Sequence, residues 1–162
     1  MNRRSGWRFL ELGRRIERGV ATCRFARVFG EPGAPSTALD LLLELCDSQI
    51  TYRSRYIVGL ARLPVLDLVV LDASNPRSVA FQVERIEEHF AVLPGDAPDG
   101  RMTSAHRQAV RLSTELRTIE PAALDAETLG AAEATFMSMS DEISQRFFTH
   151  RGPAPDEWEG LG

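Results

Sequence analysis

GWRFLELGRRIERG, residues 6–19, carries the pattern that decides the fold. Its apolar side chains, and those that follow it, recur every three or four residues: Phe9, Leu12, Ile16, Val20 and Cys23. Polar side chains fall on the opposite side: Arg8, Glu11, Arg15, Arg18 and Thr22. This spacing predicts an amphipathic α-helix. We expect the helix to begin at Ser5 as its N-cap and to end before GEPGAPS, 30–36, because glycine and proline favour a loop there.

A second helix is predicted to begin with Ser36 or Thr37 as its N-cap. Its apolar side continues through Leu39, Leu42, Leu43, Cys46 and Ile50. Pro64 either closes this helix or opens a short one, PVLDLVVLD, 64–72. The chain therefore continues in helical conformation well past the first loop.

Three later segments also show helical periodicity. The first has Asn75 as the predicted N-cap and Pro76 in the first turn, a pairing typical of helix starts. After PGDAPDGR, 94–101, which has the composition of a flexible linker, helices are predicted over about 102–119 and 125–149. The last of these is expected to turn four side chains inward: Leu129, Phe136, Ile143 and Phe147.

The fold class follows from the absence of any segment with period-two alternation or enrichment in β-branched residues. We predict an all-α fold, a mostly antiparallel bundle of about five to six helices, because its connections are short. Residues 1–150 are expected to form one domain, and RGPAPDEWEGLG, 151–162, a disordered tail.

Composition excludes several classes of function. The net charge is −4 and the isoelectric point about 5.4, so charge does not favour binding to nucleic acid or to an anionic membrane. All nineteen basic residues are arginine, which excludes chemistry based on a lysine of this chain. We expect Cys23 and Cys46 to be reduced core residues of a cytoplasmic protein, because they lack metal-site spacing. The N-terminus does not resemble a signal peptide, and the longest apolar run, 68–71, cannot span a membrane.

The common catalytic motifs are missing from the sequence. His89, His106 and His150 lie in three different segments and share no metal-binding spacing. There is no glycine-rich phosphate loop and no GxSxG motif. We therefore expect no metal and no cofactor, assign no catalytic residue, and favour a protein that is not an enzyme.

Arg53 is the residue that fits an ordinary amphipathic helix least well. Helical spacing places it in the middle of the apolar side of the second helix, between Ile50 and Ile57. An arginine there must be paired or face a wet cavity, because its charge cannot be removed. Glu17 is the expected partner, with Asp47 beside it. Two interpretations remain open: a buried ion-pair network that fixes helix register, or a polar pocket for an anionic or carboxylate group.

Two further groups of polar residues accompany Arg53. Tyr52 and Tyr56 lie one turn apart and are expected to cover a neighbouring helix or a partner. At the start of the third helix, Asn75 and Arg77 are interpreted first as a helix cap. The alternative is that the free backbone N–H groups there, together with Arg77, receive a carboxylate or phosphate.

Four stretches together resemble the carboxyl-terminal half of the bacterial alpha-E domain family: GWRFLELGRRIER, LLELCDSQITYRSRY, PVLDLVVLDASNPRSVAFQVERI and ISQRFFTH. The resemblance implies an all-helical domain without an assigned activity. The resemblance identifies residues that match the family pattern, but it assigns no function to them. These residues are Arg14, Glu17, Arg18, Asp47, Thr51, Tyr52, Arg53, Tyr56, Asp67, Asn75, Pro76, Arg77, Ser78 and Gln82.

The resemblance also implies partners. Members of the family look like companions of circularly permuted ATP-grasp proteins, often with a transglutaminase-like protein nearby, which suggests a system that makes or modifies amide bonds in peptides. Longer members of the family look internally duplicated, because an earlier helix in them carries a similar LGR-x-x-ER signature. On that comparison the chain is expected to be a fragment, a short member, or a subunit completed by another chain, and a homodimer is one expectation.

We therefore predict a non-catalytic helical accessory module of an ATP-grasp amide-ligase system, which binds the ligase or its peptide substrate. The alternatives are an enzyme that acts on a carboxylate or acyl-phosphate intermediate in an Arg/Asp/Tyr-lined pocket, and a structural oligomerisation domain. The residues predicted to form the binding site or a buried polar network are Arg14, Glu17, Arg18, Asp47, Thr51, Tyr52, Arg53, Tyr56, Asn75, Arg77 and Gln82.

Overall fold

The computed structural model describes residues 3–57, 59–93 and 100–148. Within these ranges every regular element is helical, which confirms the predicted all-α class. The α-helices are α1 Arg3–Phe29, α2 Ser36–Leu45, α3 Gln49–Arg55, α4 Arg62–Leu66, α5 Val79–Ala91, α6 Ser104–Thr118 and α7 Ala126–Phe147. A π-helical turn, Asp67–Leu71, follows α4, and a 3₁₀ turn, Pro121–Ala123, precedes α7. Seven α-helices exceed the predicted five to six.

Four helices surround the main core. Helix α1 packs against α5 and α7, and α6 packs against the same two helices. The α1 residues Leu12, Ile16 and Cys23 are buried as the periodicity predicted, whereas Phe9 and Val20 are only partly buried. Burying such side chains removes apolar surface from water, which is the main favourable term in folding.

Close approach of α1 and α7 depends on a glycine. Gly19 is buried beneath the ring of Phe136, and a methyl group at position 19 would lie 2.5 Å from the Cζ atom of that ring. Phe136 itself is fully buried. The missing side chain of Gly19 therefore sets how near the two helices can come.

The beginning of α1 differs in detail from the prediction. The helix starts at Arg3, so Ser5 lies inside the helix and is not its N-cap. Thr22, predicted on the polar side, is buried because that side of α1 is covered by residues at the end of α2. Glu11 and Arg15, four residues apart on the polar side of α1, form an ion pair at 3.4 Å.

The predicted second helix is interrupted. Helix α2 follows an N-cap at Pro35, so neither Ser36 nor Thr37 is the cap, and it ends at Leu45. Asp47 then takes a φ of 49°, in the left-handed region that residues other than glycine rarely adopt. A new helix, α3, begins at Gln49.

This interruption makes the prediction for Arg53 wrong. Because the chain turns at Asp47, positions that a continuous helix would bury face solvent: Ile50, on α3, is 86% exposed, and Ile57, just beyond α3, is 104% exposed. The Arg53 side chain is 74% exposed. Tyr52 takes the buried position instead, with 3% exposure.

Later elements follow the predictions more closely. The alternative in which Pro64 opens a short helix is close to the observed α4, which begins two residues earlier. Helix α5 begins at Val79 with Ser78 as its N-cap, so the assignment of Asn75 as the cap is wrong. Helices α6 and α7 lie within two residues of their predicted bounds. Leu129, Phe136 and Ile143 are buried, whereas Phe147 is partly exposed.

Some predictions fall on residues outside the described ranges. They concern most of the 94–101 linker, His150 and the tail 151–162. Of the helices that the structure does describe, none is both long enough and apolar enough to cross a membrane.

We predict that Gly19→Ala destabilises the protein by about 1–2 kcal/mol, because overpacking against Phe136 outweighs the helical preference for alanine. Gly13→Ala is the matched control on the same helix, since no atom lies within 4 Å of its added methyl group. We expect the control to stabilise the protein by about 0.5–1 kcal/mol. Urea unfolding of both variants measures the difference, and equal effects would contradict the proposed close approach.

Candidate functional site

An open cleft of about 510 Å³ lies between α1 and the turn that follows α2. Its lining combines three guanidinium groups and two carboxylates with small or apolar side chains: Arg14, Glu17, Arg18, Ala21, Thr22, Phe25, Leu45, Cys46, Asp47 and Arg77. We call it the arginine cleft. Five of its members belong to the predicted site, and they come from three separate segments of the chain.

Helical spacing explains how α1 supplies one wall of the cleft. Arg14, Glu17, Arg18 and Ala21 lie three or four residues apart, so they share one side of the helix. This side is adjacent to the one that enters the core at Ile16. The wall is therefore fixed by the same helix packing that forms the core.

The opposite wall is held by an ion pair. An Oδ2 atom of Asp47 lies 2.6 Å from an Nη2 atom of Arg77. The side chains are 73% and 39% exposed, so the pair adds little to stability. Its effect is positional. The alternative interpretation of Arg77 was that it receives a carboxylate or phosphate together with free backbone N–H groups. In the structure its guanidinium is paired with Asp47, a carboxylate of the same chain.

Arg18 differs from the other arginines of the cleft. None of the described carboxylates lies within ion-pair distance of its guanidinium, although Arg14 pairs with Glu11 at 3.2 Å. Burial lowers the pKa of Arg18, and the positive charges of Arg77 and Arg15 lower it further, while Asp47 acts in the opposite direction. Arg18 stays charged, because arginine titrates far above neutral pH. Positive charge therefore accumulates around Arg18.

The predicted pairing of Glu17 with Arg53 is wrong. Glu17 lines the arginine cleft, whereas Arg53 lies on α3 outside it. Among the described carboxylates, that of Asp40 pairs with Arg53, at 3.9 Å. Interruption of the second helix at Asp47 separates the two residues, because α3 no longer continues the direction of α2.

The α3 part of the predicted site forms a different surface. Tyr52, Arg53 and Tyr56 line a groove of about 450 Å³ with Ile57 and other residues of this region. The Tyr52 hydroxyl donates to the Gly59 carbonyl at 3.4 Å, and the rings of Tyr52 and Tyr56 are 4.7 Å apart. Burial raises the pKa of Tyr56, and the negative charge of Asp67 raises it further by a smaller amount. Thr51 is half-buried and lines neither the groove nor the cleft.

Asn75 joins the chain segments that form the wall opposite α1. Its Nδ2 atom donates to Ser48 Oγ at 3.1 Å and to the Leu68 carbonyl at 2.9 Å. Its Oδ1 atom accepts from the backbone N–H of Arg77 at 3.1 Å. At 3% exposure this amide is buried and uses both of its polar ends. It is not a helix cap, because Ser78 Oγ accepts the capping bond from Phe81 N.

Arg15, which the helical period placed on the polar side of α1, contacts the buried amide of Gln82. The Gln82 amide is fully buried, and its Oε1 atom accepts from Nη1 of Arg15 at 3.2 Å. Arg15 also lies over the Phe81 ring, with 5.4 Å between its Cζ atom and the ring centroid. The signal was present in the sequence: Gln82 shares the apolar side of α5 with Val79, and a buried amide requires a partner.

Both described cysteines are free and buried. Burial raises the pKa of both Cys46 and Cys23 to about 12, and a hydrogen bond with Thr22 only partly opposes this for Cys46. Cys46 lines the cleft but stays protonated at neutral pH. Across the described ranges, no group of three His, Cys, Asp or Glu residues is arranged to hold a metal ion.

We predict that Asn75→Ala destabilises the protein by about 2–4 kcal/mol, because it removes three hydrogen bonds and leaves buried backbone groups without partners. Gln49→Ala is the control: this half-buried amide donates one long bond of 3.4 Å to Asp40, and we expect a cost below about 1 kcal/mol. Thermal and urea unfolding measure both. An Asn75→Ala cost no larger than that of the control would contradict the connecting role.

Reaction with iodoacetamide at pH 8 tests the thiols. A pKa raised by about three units lowers the thiolate fraction roughly a thousandfold, so both cysteines should stay unmodified in the folded protein. Unfolding in guanidinium chloride should make both react at the rate of free cysteine. Rapid labelling of Cys46 in the native protein, observed by mass spectrometry, would contradict its burial.

The family comparison matches residues 1–148 to Alpha-E, described as "a predicted alpha-helical domain with a conserved ER motif". Two Glu-Arg dipeptides occur in this chain, Glu17-Arg18 and Glu84-Arg85. The first lines the arginine cleft.

Two relatives carry the names uncharacterized protein Mb2597, from Mycobacterium bovis, and uncharacterized protein Rv2567, from Mycobacterium tuberculosis. Each is 29% identical to this chain in an alignment that covers 86% of the chain and 17% of the relative. The chain thus spans about a sixth of the length of these relatives. No solved structure gives a significant match. Because the family match extends over nearly the whole chain, the chain belongs to the Alpha-E family.

Proposed function

We propose that this chain is a non-catalytic binding module of an ATP-grasp amide-ligase system, and that it binds the ligase or the peptide that the ligase modifies. The partnership comes from the resemblance described above, in which alpha-E domains accompany ATP-grasp proteins. Family membership of the chain supports extending that partnership to it.

The arginine cleft is the observation that carries the proposal. Residues from the α1, α2–α3 and α5 regions, which the family resemblance had singled out separately, line one open cleft. Surfaces that combine apolar area with a few convergent polar groups are typical of binding sites. The cleft is therefore the surface assigned to the partner.

The charge of the cleft indicates the kind of partner. Asp47 neutralises Arg77 at 2.6 Å, whereas Arg18 makes no ion pair within the described part of the chain. The planar guanidinium group of arginine suits bidentate contacts with carboxylates. An acidic segment of the ligase, or a carboxylate of its peptide substrate, complements this surface.

The side chains of the cleft give less support to the enzyme alternative. Its thiol, Cys46, has a pKa raised to about 12. Neither His89 nor His106 lines the cleft, so the described imidazoles are not positioned as its general base. Binding by arginine requires no such group.

Affinity capture from an extract of the source organism tests the proposal. The 162-residue chain serves as bait beside the double variant Arg18→Gln/Arg77→Gln, with captured proteins identified and quantified by mass spectrometry. We expect the native chain to enrich an ATP-grasp protein and the double variant to lose at least about tenfold of that enrichment, because two charge-assisted contacts are removed.

Arg101→Gln/Arg111→Gln is the matched control, since it makes the same change of charge at two exposed arginines outside the cleft. We expect it to capture the ATP-grasp protein as the native chain does. Capture without any ATP-grasp protein would contradict the proposed partnership. Equal capture by both double variants would instead contradict the assignment of the cleft.

A further inference from the structure

We infer that the arginine cleft binds a peptide carboxylate that lies next to an apolar side chain, and that Asp47 competes with this carboxylate for Arg77. The inference rests on the proposed function and names the chemical class of the ligand. Arg18 and Arg77 receive the carboxylate, and the apolar part of the cleft receives the neighbouring side chain.

Arg18 is the first contact for an incoming anion. Its guanidinium is exposed and makes no ion pair with any described residue, so it can accept a carboxylate without breaking an existing contact. Arg77 lines the same cleft as Arg18, and its positive charge lowers the pKa of Arg18 after the larger effect of burial. One carboxylate placed between them would relieve this repulsion.

The apolar part of the cleft selects what stands beside the carboxylate. Ala21, Phe25 and Leu45 contribute to the same lining as the arginines. The Leu45 side chain is 43% exposed and Phe25 is partly buried, so both can lose further surface to a ligand. Removing such apolar surface from water favours binding. The cleft therefore favours an amphipathic ligand over a bare anion.

The number of charges favours a carboxylate over a phosphate dianion. Three guanidinium groups and two carboxylates line the cleft, which leaves one net positive charge. A single carboxylate balances this charge. A dianion would leave an excess negative charge beside Glu17 and Asp47, and like charges at short range oppose binding.

Asp47 already makes the contact that a ligand carboxylate would make. Its carboxylate lies 2.6 Å from an Arg77 guanidinium nitrogen and is 73% exposed, so it can exchange for another carboxylate. Its backbone has a φ of 49°, and asparagine tolerates this left-handed conformation better than most residues do. Asp47→Asn thus removes the competing charge while keeping the turn.

Titration of the purified 162-residue chain with short probes tests the inference by ¹⁵N nuclear magnetic resonance at low salt. The main probe is N-acetyl-Ala-Leu with a free carboxylate, compared with its carboxamide and with N-acetyl-Ala-Gly acid. A fourth probe, N-acetyl-Glu-Leu carboxamide, carries its carboxylate on a side chain. It distinguishes that source from a peptide C-terminus.

We expect N-acetyl-Ala-Leu acid to shift the resonances of Arg18 and Arg77, and to bind at least about fivefold more tightly than its carboxamide or the glycine probe. Arg18→Gln should weaken binding of the acid about fivefold or more, whereas Arg111→Gln should leave it unchanged. If N-acetyl-Glu-Leu carboxamide binds more tightly than N-acetyl-Ala-Leu acid, the site recognises acidic side chains. If it binds less tightly, the site recognises peptide C-termini.

The competition has its own matched pair of variants. Asp47→Asn should tighten binding of the acid probe about threefold to tenfold, and more than Glu17→Gln does. Both changes remove one negative charge from the cleft, but only Asp47 is paired with Arg77. Equal effects of the two variants, or weaker binding by Asp47→Asn, would overturn the competition.

Equal binding of the acid and the carboxamide, or shifts confined to residues outside the cleft, would overturn the carboxylate site. These measurements contain no ATP-grasp protein, so they can fail while affinity capture succeeds. That result would keep the partnership and exclude a short peptide carboxylate as its basis. The converse result would keep the carboxylate site and exclude the ATP-grasp partner.

Discussion

The buried amide of Asn75 is the interaction on which the candidate site depends. It donates to Ser48 and to the Leu68 carbonyl, and it accepts from the N–H of Arg77. It therefore joins the turn between α2 and α3, the π-helical turn and the start of α5. A buried polar group that meets all its partners specifies one arrangement, because any other arrangement leaves a group unpaired. Arg77 faces Asp47 as a consequence.

The interruption at Asp47 has opposite effects on two surfaces. By ending α2, it brings Asp47 and Cys46 to the wall of the arginine cleft. By changing the direction of the chain, it turns Ile50 and Arg53 of α3 toward solvent. The left-handed backbone of Asp47 is unfavourable for a residue with a side chain. Such conformations persist where surrounding contacts hold them, here the hydrogen bonds of the neighbouring Ser48 to the Cys46 carbonyl and to Asn75.

The helices that surround the core were predictable because their periodicity is long and regular. Helix α1 repeats apolar side chains from Leu12 to Cys23, and α7 does so from Leu129 to Ile143. In such segments local pattern and tertiary packing favour the same conformation. The prediction of one continuous second helix was wrong for the opposite reason. Its local pattern is continuous, but bonds to residues far along the chain, including that from Asn75 to Ser48, hold it interrupted.

The helical period of the sequence is enough to predict the all-α class, the apolar sides of the core helices and a set of charged candidate site residues. Which of these residues meet depends on how the helices pack and where the chain turns. The tertiary structure brought Arg18, Asp47 and Arg77 to one cleft, placed Arg53 elsewhere, and paired Arg15 with Gln82. The helical period predicts which side chains are buried together on one helix. A site between helices depends on turns and on polar contacts, which a local period does not predict.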